Sequence, residues 1–124
     1  MLTKFGGAEI KDINSEPYLS IVVPAYNEER RLPQTLHSIT SYLQTKNYTA
    51  EVIVVDDGST DNTAAVVEGL AAKNPIIRLI RNEHRGKAYT VRTGMLAARG
   101  KYILLSLIHI SEPTRPLYIS YAVF

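Results

Sequence analysis

Val54-Val55-Asp56-Asp57-Gly58-Ser59-Thr60-Asp61 runs apolar β-formers into two adjacent carboxylates, then a glycine, then hydroxyl and acid residues able to cap a helix. Ser20-Ile21-Val22-Val23-Pro24-Ala25-Tyr26-Asn27-Glu28-Glu29 repeats that design upstream, so two strand ends of one sheet would present Tyr26, Glu28 and Asp57 together. Such a group could hold a nucleobase. Tyr26 offers a π-face and Glu28 an acceptor, while Asp57 accepts from a base imide or amino group. Gly58 would permit close approach, and the helix start that follows would offer backbone N–H donors. Strand alternation should turn one of Asp56 and Asp57 toward the crevice and the other back into the protein frame. Singly, each feature has a plainer reading: Asp-Gly-Ser-Thr-Asp is a common helix-capping turn, Tyr26 a half-buried aromatic, and Asn27-Glu28-Glu29 a solvated helix start. Arg85-Gly86-Lys87 ahead of a third helix suits a pyrophosphate, and suits a charged surface turn equally.

The elements that would carry these residues alternate along the chain. Leu19 to Val23 is a continuous apolar run, the pattern of a strand buried on both faces, and Pro24 should end its ladder by removing a donor. Leu32, Leu36, Ile39 and Leu43 give one apolar helix stripe, with Pro33 tolerated in the opening turn. Val52 to Val55 is a second buried strand, and Thr60 or Asp61 caps a helix whose Ala64, Val67, Leu70 and Ala71 face inward until Asn74-Pro75 closes it. Ile76 to Ile80 is a third strand. Ala88, Val91, Met95 and Ala98 should form the inner face of a third helix ending by Gly100, and Tyr102 begins a fourth strand. This order predicts an α/β fold with a mostly parallel sheet and helices on both faces, its ligand crevice lying beyond the carboxyl ends of the strands.

Composition narrows the function. The 124 residues support one modest core, and the net charge of +2 does not point to nucleic acid as a partner. Absent cysteine excludes disulfides and thiolate metal sites. His37, His84 and His109 lack the spacing of metal ligands, so none is read as one. The longest apolar stretch, Tyr102 to Ile110, is interrupted by Ser106 and His109 and is too short to span a bilayer, which needs roughly twenty apolar residues. No Gly-x-Gly-x-x-Gly and no Walker loop follows the first strand, which counts against dinucleotide oxidoreductases and nucleotide triphosphatases.

Taken together, the two strand-end segments and Asn82-Glu83-His84-Arg85-Gly86-Lys87 resemble the amino-terminal half of family 2 glycosyltransferases with the GT-A fold, over residues 19 to about 105. Arg85 through Met95 is most similar to the polyprenyl-phosphate sugar transferases, especially the dolichyl-phosphate glucosyltransferase-like branch. The resemblance implies a partial GT-A, Rossmann-like fold in which Pro24, Tyr26, Glu28, Val55 and Asp57 line the pocket of a nucleotide-sugar donor, with Asp57 on the base and Lys87 near the diphosphate. It implies transfer of a hexose, glucose from UDP-glucose, to a polyprenyl or dolichyl phosphate on the cytoplasmic side of a membrane. A polysaccharide synthase, a dolichyl-phosphate mannosyltransferase-like protein and a bare nucleotide-binding half domain are the alternatives. It also implies a divalent cation, Mg or Mn, held by an Asp-x-Asp motif after the fourth strand. Leu107 and Ile108 stand where those acids belong, so the intact parent would be the enzyme, this chain would be inactive, and no residue in it is assigned a catalytic role.

The carboxyl-terminal segment reads differently. Leu105-Ser106-Leu107-Ile108-His109-Ile110-Ser111-Glu112-Pro113-Thr114-Arg115 resembles the direct translation of a transposase-type sequencing-library adaptor. Ile119-Ser120-Tyr121-Ala122-Val123-Phe124 resembles the flow-cell end of the same adaptor, with Pro116 to Tyr118 where a variable index would fall. The expected organisation is therefore a loose lead-in over 1–18, a nucleotide-binding half domain over 19–104, and a non-native tail over 105–124 on a truncated gene. Tyr102 to Ile110 is β-prone enough to pair regardless of origin, whereas the chain from Ser111 onward, with Pro113 and Pro116, should wander.

Overall fold

The computed structural model describes residues 3–5, 8–10, 17–107 and 118–123. Two short strands, β1 (Thr3–Phe5) and β2 (Ala8–Ile10), pair antiparallel as a small sheet of their own within the expected lead-in. The main sheet contains β3 (Leu19–Ala25), β4 (Ala50–Asp57), β5 (Ile77–Asn82), β6 (Tyr102–Leu107) and β7 (Tyr118–Val123), in the spatial order β5-β4-β3-β6-β7. The first four of these run parallel, and β7 joins antiparallel to β6. Helices α1 (Leu32–Gln44), α2 (Thr63–Lys73) and α3 (Lys87–Ala97) fill the crossovers.

Alternation along the buried strands divides the core into two layers. Ile21, Val23, Val52 and Val54 pack beneath α1 and α2, where Leu32, Leu36, Ile39 and Leu43 supply the predicted stripe and Val67 joins them. Val22, Ile53, Val55 and Ile103 face the opposite way, toward α3. The inner face of α3 matches the predicted one in part: Met95 and, just past the helix end, Ala98 pack against this second layer, but Thr90 and Gly94 are the buried positions and Ala88 is exposed. A Cβ on Gly94 would lie 2.3 Å from Val22 Cγ1 and 3.1 Å from Val55 Cγ2, so beside these apolar contacts α3 approaches the sheet along a small-residue seam. Apolar periodicity cannot register such a seam, because it scores side-chain size where backbone proximity decides.

Two further departures follow from hydrogen bonding. Strand β3 continues through Pro24 to Ala25, with Pro24 opposite Val55 on β4, but its pairing with β6 ends at Val22–Leu105. The proline that supplies no N–H is thus kept in the strand and ends only one of its two ladders. The carboxyl-terminal chain does not wander throughout. Tyr118–Val123 pairs along the whole of β6, so the sheet has a fifth strand where truncation after the fourth was expected. Ile119, Tyr121 and Val123 are β-formers, and a free edge of β6 offers a row of unpaired backbone groups to them. Ile108 to Leu117 lie outside the described residues.

At the amino ends of the strands, buried Glu51 organises the start of β6. Its Oε2 accepts from Ser20 Oγ at 2.6 Å and from the Arg99 N–H at 2.8 Å, while Arg78 Nη2 lies 3.1 Å from Oε1. Gly100 N–H donates to Ser20 Oγ at 2.8 Å, and a Cβ there would meet the Ser20 backbone nitrogen at 2.6 Å. This polar clamp sets the register of β6 on β3. Strand order turns at this pair, since β4 and β5 lie to one side of β3 and β6 to the other, and the turns after β3 and β4 and the loop after β5 all lie at the carboxyl edge of the sheet.

Gly94→Ala should therefore cost about 1–3 kcal/mol through overpacking against Val22, measured as a lower urea midpoint with an unchanged slope.

Candidate functional site

The turn after β3 and the turn after β4 are built as one unit. Asn27 takes a left-handed conformation at φ 51°, which asparagine tolerates better than most residues, and this directs its side chain across to the second turn. Its Oδ1 accepts from the Thr60 N–H at 2.8 Å, and its own N–H donates to Ser59 Oγ at 2.8 Å. Glu28 N–H donates to Thr63 Oγ1 at 2.9 Å, and the Asp61 carboxylate accepts from the N–H groups of Thr63 at 2.9 Å and Glu29 at 3.4 Å. The start of α2 falls at Thr63, with Asp61 two residues earlier satisfying its first donors in place of a cap at the helix boundary.

Asp56 and Asp57 diverge as alternation requires. Asp56 bends back to its own turn, bonding the Ser59 hydroxyl and accepting from the Ser59 N–H. Asp57 faces the segment between β5 and α3. Its Oδ1 accepts from the Arg85 N–H at 2.8 Å and its Oδ2 from the Gly86 N–H at 3.2 Å. His84 Nδ1 lies 3.0 Å from Asp57 Oδ2 and 3.1 Å from the Asp57 carbonyl oxygen. Because both neighbours only accept, Nδ1 carries the proton. Burial alone would raise the Asp57 pKa; the Arg85 N–H, the His84 ring and the Gly86 N–H outweigh it and hold the carboxyl below its ordinary value. Glu28 moves the other way, raised by burial against the lowering effect of Arg31, with Asp61 adding to the rise.

Tyr26 is 39% exposed and lies against the same histidine, the two rings stacked at 4.4 Å between centroids and 23° between planes. Tyr26 and Asp57 therefore meet on one side of the molecule, and the space between them is occupied by His84. Gly58, at φ 67°, is the hinge of this arrangement: a Cβ there would lie 2.6 Å from the His84 backbone nitrogen. The close approach that this glycine permits is that of the protein's own loop, where the sequence had suggested a ligand.

The remaining predicted residues separate into three groups. Glu28 lines a cleft of about 310 Å³ with Asn27, Glu29, Arg30, Arg31 and Asp61, a lining that includes neither Tyr26 nor Asp57. Lys87 is exposed at the first turn of α3, just beyond the Gly86 held by Asp57, and Pro24 sits half-buried near the end of β3. Val55 is fully buried against α3, so its side chain packs the core instead of lining a pocket. His84 was missed as part of the site. Its spacing to other histidines carried no signal, and only docking of the 83–86 loop reveals its place.

The family model described as "Glycosyl transferase family 2" matches residues 20–106. The chain belongs to this family. Among family relatives, the dolichyl-phosphate beta-glucosyltransferase of Dictyostelium discoideum is 43% identical over 96 residues, and that of Homo sapiens 42% over 98. Each alignment covers 71% of this chain, but only 29% and 30% of those relatives, so the chain spans under a third of their length. Among solved structures, a Pyrobaculum calidifontis mannosyltransferase in complex with GDP-Man and Mn2+ matches with a TM-score of 0.64 at 30% identity, over 76% of this chain and 28% of that one. S. aureus TarS in complex with UDP matches with a TM-score of 0.61 at 29% identity, over 72% and 26%. The sheet and its helices are accordingly part of a GT-A fold.

The mannosyltransferase carries a metal with its sugar nucleotide, and the residues at the end of β6 do not fit one. Ser106 is buried with its hydroxyl unpartnered, Leu107 has no oxygen in its side chain, and no cluster of three metal-ligating side chains occurs among the described residues.

Two outcomes test this geometry. Stability contributed by Asp57 and Asp61, both lowered from the ordinary 3.8, should be complete above that value and lost as pH falls through their lower folded values; urea midpoints from pH 7 downward would show the loss, and Asp57→Asn would make it shallower. Gly58→Ala should cost about 2–4 kcal/mol, from left-handed strain plus collision with the His84 backbone, and should raise amide exchange at Arg85 and Gly86.

Proposed function

We propose that residues 19–104 are the donor-nucleotide half of a glycosyltransferase that moves glucose from UDP-glucose to a dolichyl or polyprenyl phosphate, working on the cytoplasmic side of a membrane. The observation that carries this reading is the convergence of the Tyr26 ring and the Asp57 carboxylate on a single flat, hydrogen-donating ring at the carboxyl edge of the sheet. A uracil presents the same two features, a π-face and an imide N–H. In the proposed complex the base stacks on Tyr26 and donates to Asp57, Pro24 borders the base, Glu28 lies toward the ribose from its neighbouring cleft, and Lys87 meets the diphosphate. The lipid phosphate oxygen would attack the anomeric carbon and the nucleoside diphosphate would leave.

The curated relatives favour glucose and dolichyl phosphate as donor sugar and acceptor, their names stating both at 42–46% identity. A guanine also offers a flat ring with N–H donors, and the structural likeness to the mannosyltransferase keeps GDP-mannose as the second reading. Since the end of β6 does not fit a divalent cation, we assign this chain nucleotide binding without transfer, and the divalent cation belongs to the intact parent. Among the described residues no helix is long and apolar enough to cross a membrane.

Calorimetric titration with UDP and GDP tests the reading directly. UDP should bind, GDP should bind more weakly, and Tyr26→Ala should weaken UDP roughly tenfold, as expected for one lost base–aromatic stack. Absence of heat with either nucleotide would refute it. Radiolabelled UDP-glucose with dolichyl phosphate and Mn2+ should yield no lipid-linked product from this chain.

A further inference from the structure

We infer that His84 is a built-in stand-in for the nucleobase, a latch that holds the donor site closed until a base displaces it; the inference rests on the nucleotide reading above. The imidazole makes both contacts that the site has to offer. Its ring covers the Tyr26 face at 4.4 Å and 23°, and its Nδ1–H points at Asp57 Oδ2 from 3.0 Å. A base cannot take either position while the ring is there.

The latch is built to swing without unfolding its surroundings. The His84 side chain is 59% exposed, so its outer side meets solvent and not packed atoms. Asp57 holds the loop independently through the Arg85 and Gly86 N–H groups, which leaves the backbone anchored when the imidazole departs. Gly58 fixes the His84 backbone close to the β4 turn, so the released ring stays near the mouth of the site. The groups facing the imidazole are the Tyr26 ring from the β3 turn and the Asp57 carboxylate and carbonyl from β4, with the exposed Arg85–Glu83 pair beside it on its own loop. Exchange of a base for His84 replaces one stack and one hydrogen bond with another of each. Donor affinity is therefore reduced by the fraction of molecules in which the latch is closed.

Removing the imidazole should remove that reduction. Titrating UDP into the full chain, His84→Ala should lower the dissociation constant on the order of three- to tenfold, the population held back by one stack and one hydrogen bond. An unchanged or higher constant would overturn the latch and leave the nucleotide reading standing. No binding by either protein would defeat both. The wild-type chain supplies an independent measurement, because it has only three histidines whose imidazole proton signals can be resolved. Saturating UDP should move the His84 signals from ring-shielded positions toward those of a free imidazole. Signals that stay shielded at saturation would overturn the inference even if the variant failed to fold.

Discussion

A carboxylate buried at the end of a parallel strand must find donors, and the way Asp57 finds them sets the geometry of the whole carboxyl edge. With 5% of its surface exposed, it takes two consecutive backbone N–H groups, from Arg85 and Gly86, and the Nδ1–H of His84. Those bonds fasten the β5–α3 loop across the top of β4. Gly86, at φ 95°, turns the chain from that loop into α3, and Thr90 one turn later donates its hydroxyl to the Gly86 carbonyl. A single acid thereby decides where α3 begins, where Lys87 stands and what covers Tyr26.

The other acids divide the remaining work. Asp56 closes its own turn, Asp61 supplies the first donors of α2 with an acceptor, and Asn27 ties the two turns together, so that Tyr26 and Glu28 are held on a braced loop. At the opposite edge, Glu51 does for the start of β6 what Asp57 does for the loop at the end of β4. Four parallel strands are thus held at both ends by buried carboxylates whose partners include backbone N–H groups of the neighbouring loops. Charge-assisted bonds of this kind are stronger than neutral ones and have specific geometry, so they fix the position of the loops they fasten.

Much of this was legible in the residues. The buried strands announced themselves as unbroken apolar runs, and the stripe of α1 appeared position for position, because burial on one helix face imposes a period that survives any tertiary detail. Divergence of Asp56 and Asp57 followed from the pleat alone. The inner face of α3 was legible only at Met95 and Ala98, since Gly94 and Thr90 are chosen for closeness to Val22 and for a bond to Gly86, and neither produces an apolar signal. Val55, which the family resemblance placed at the pocket, shares a sheet face with Asp57 and is fully buried in the second core layer. The pairing of Tyr118–Val123 with β6 depended on an open edge, a property of the sheet and not of the segment.

The amino-acid sequence by itself determined the alternation of strands and helices, the family and the chemical groups carried by the strand-end turns, because these depend on residue type and local period. Only the tertiary structure decided that His84 lies between Tyr26 and Asp57. That contact joins residues 27 and 58 positions apart, and it exists because a buried carboxylate captured the nearest loop able to satisfy it.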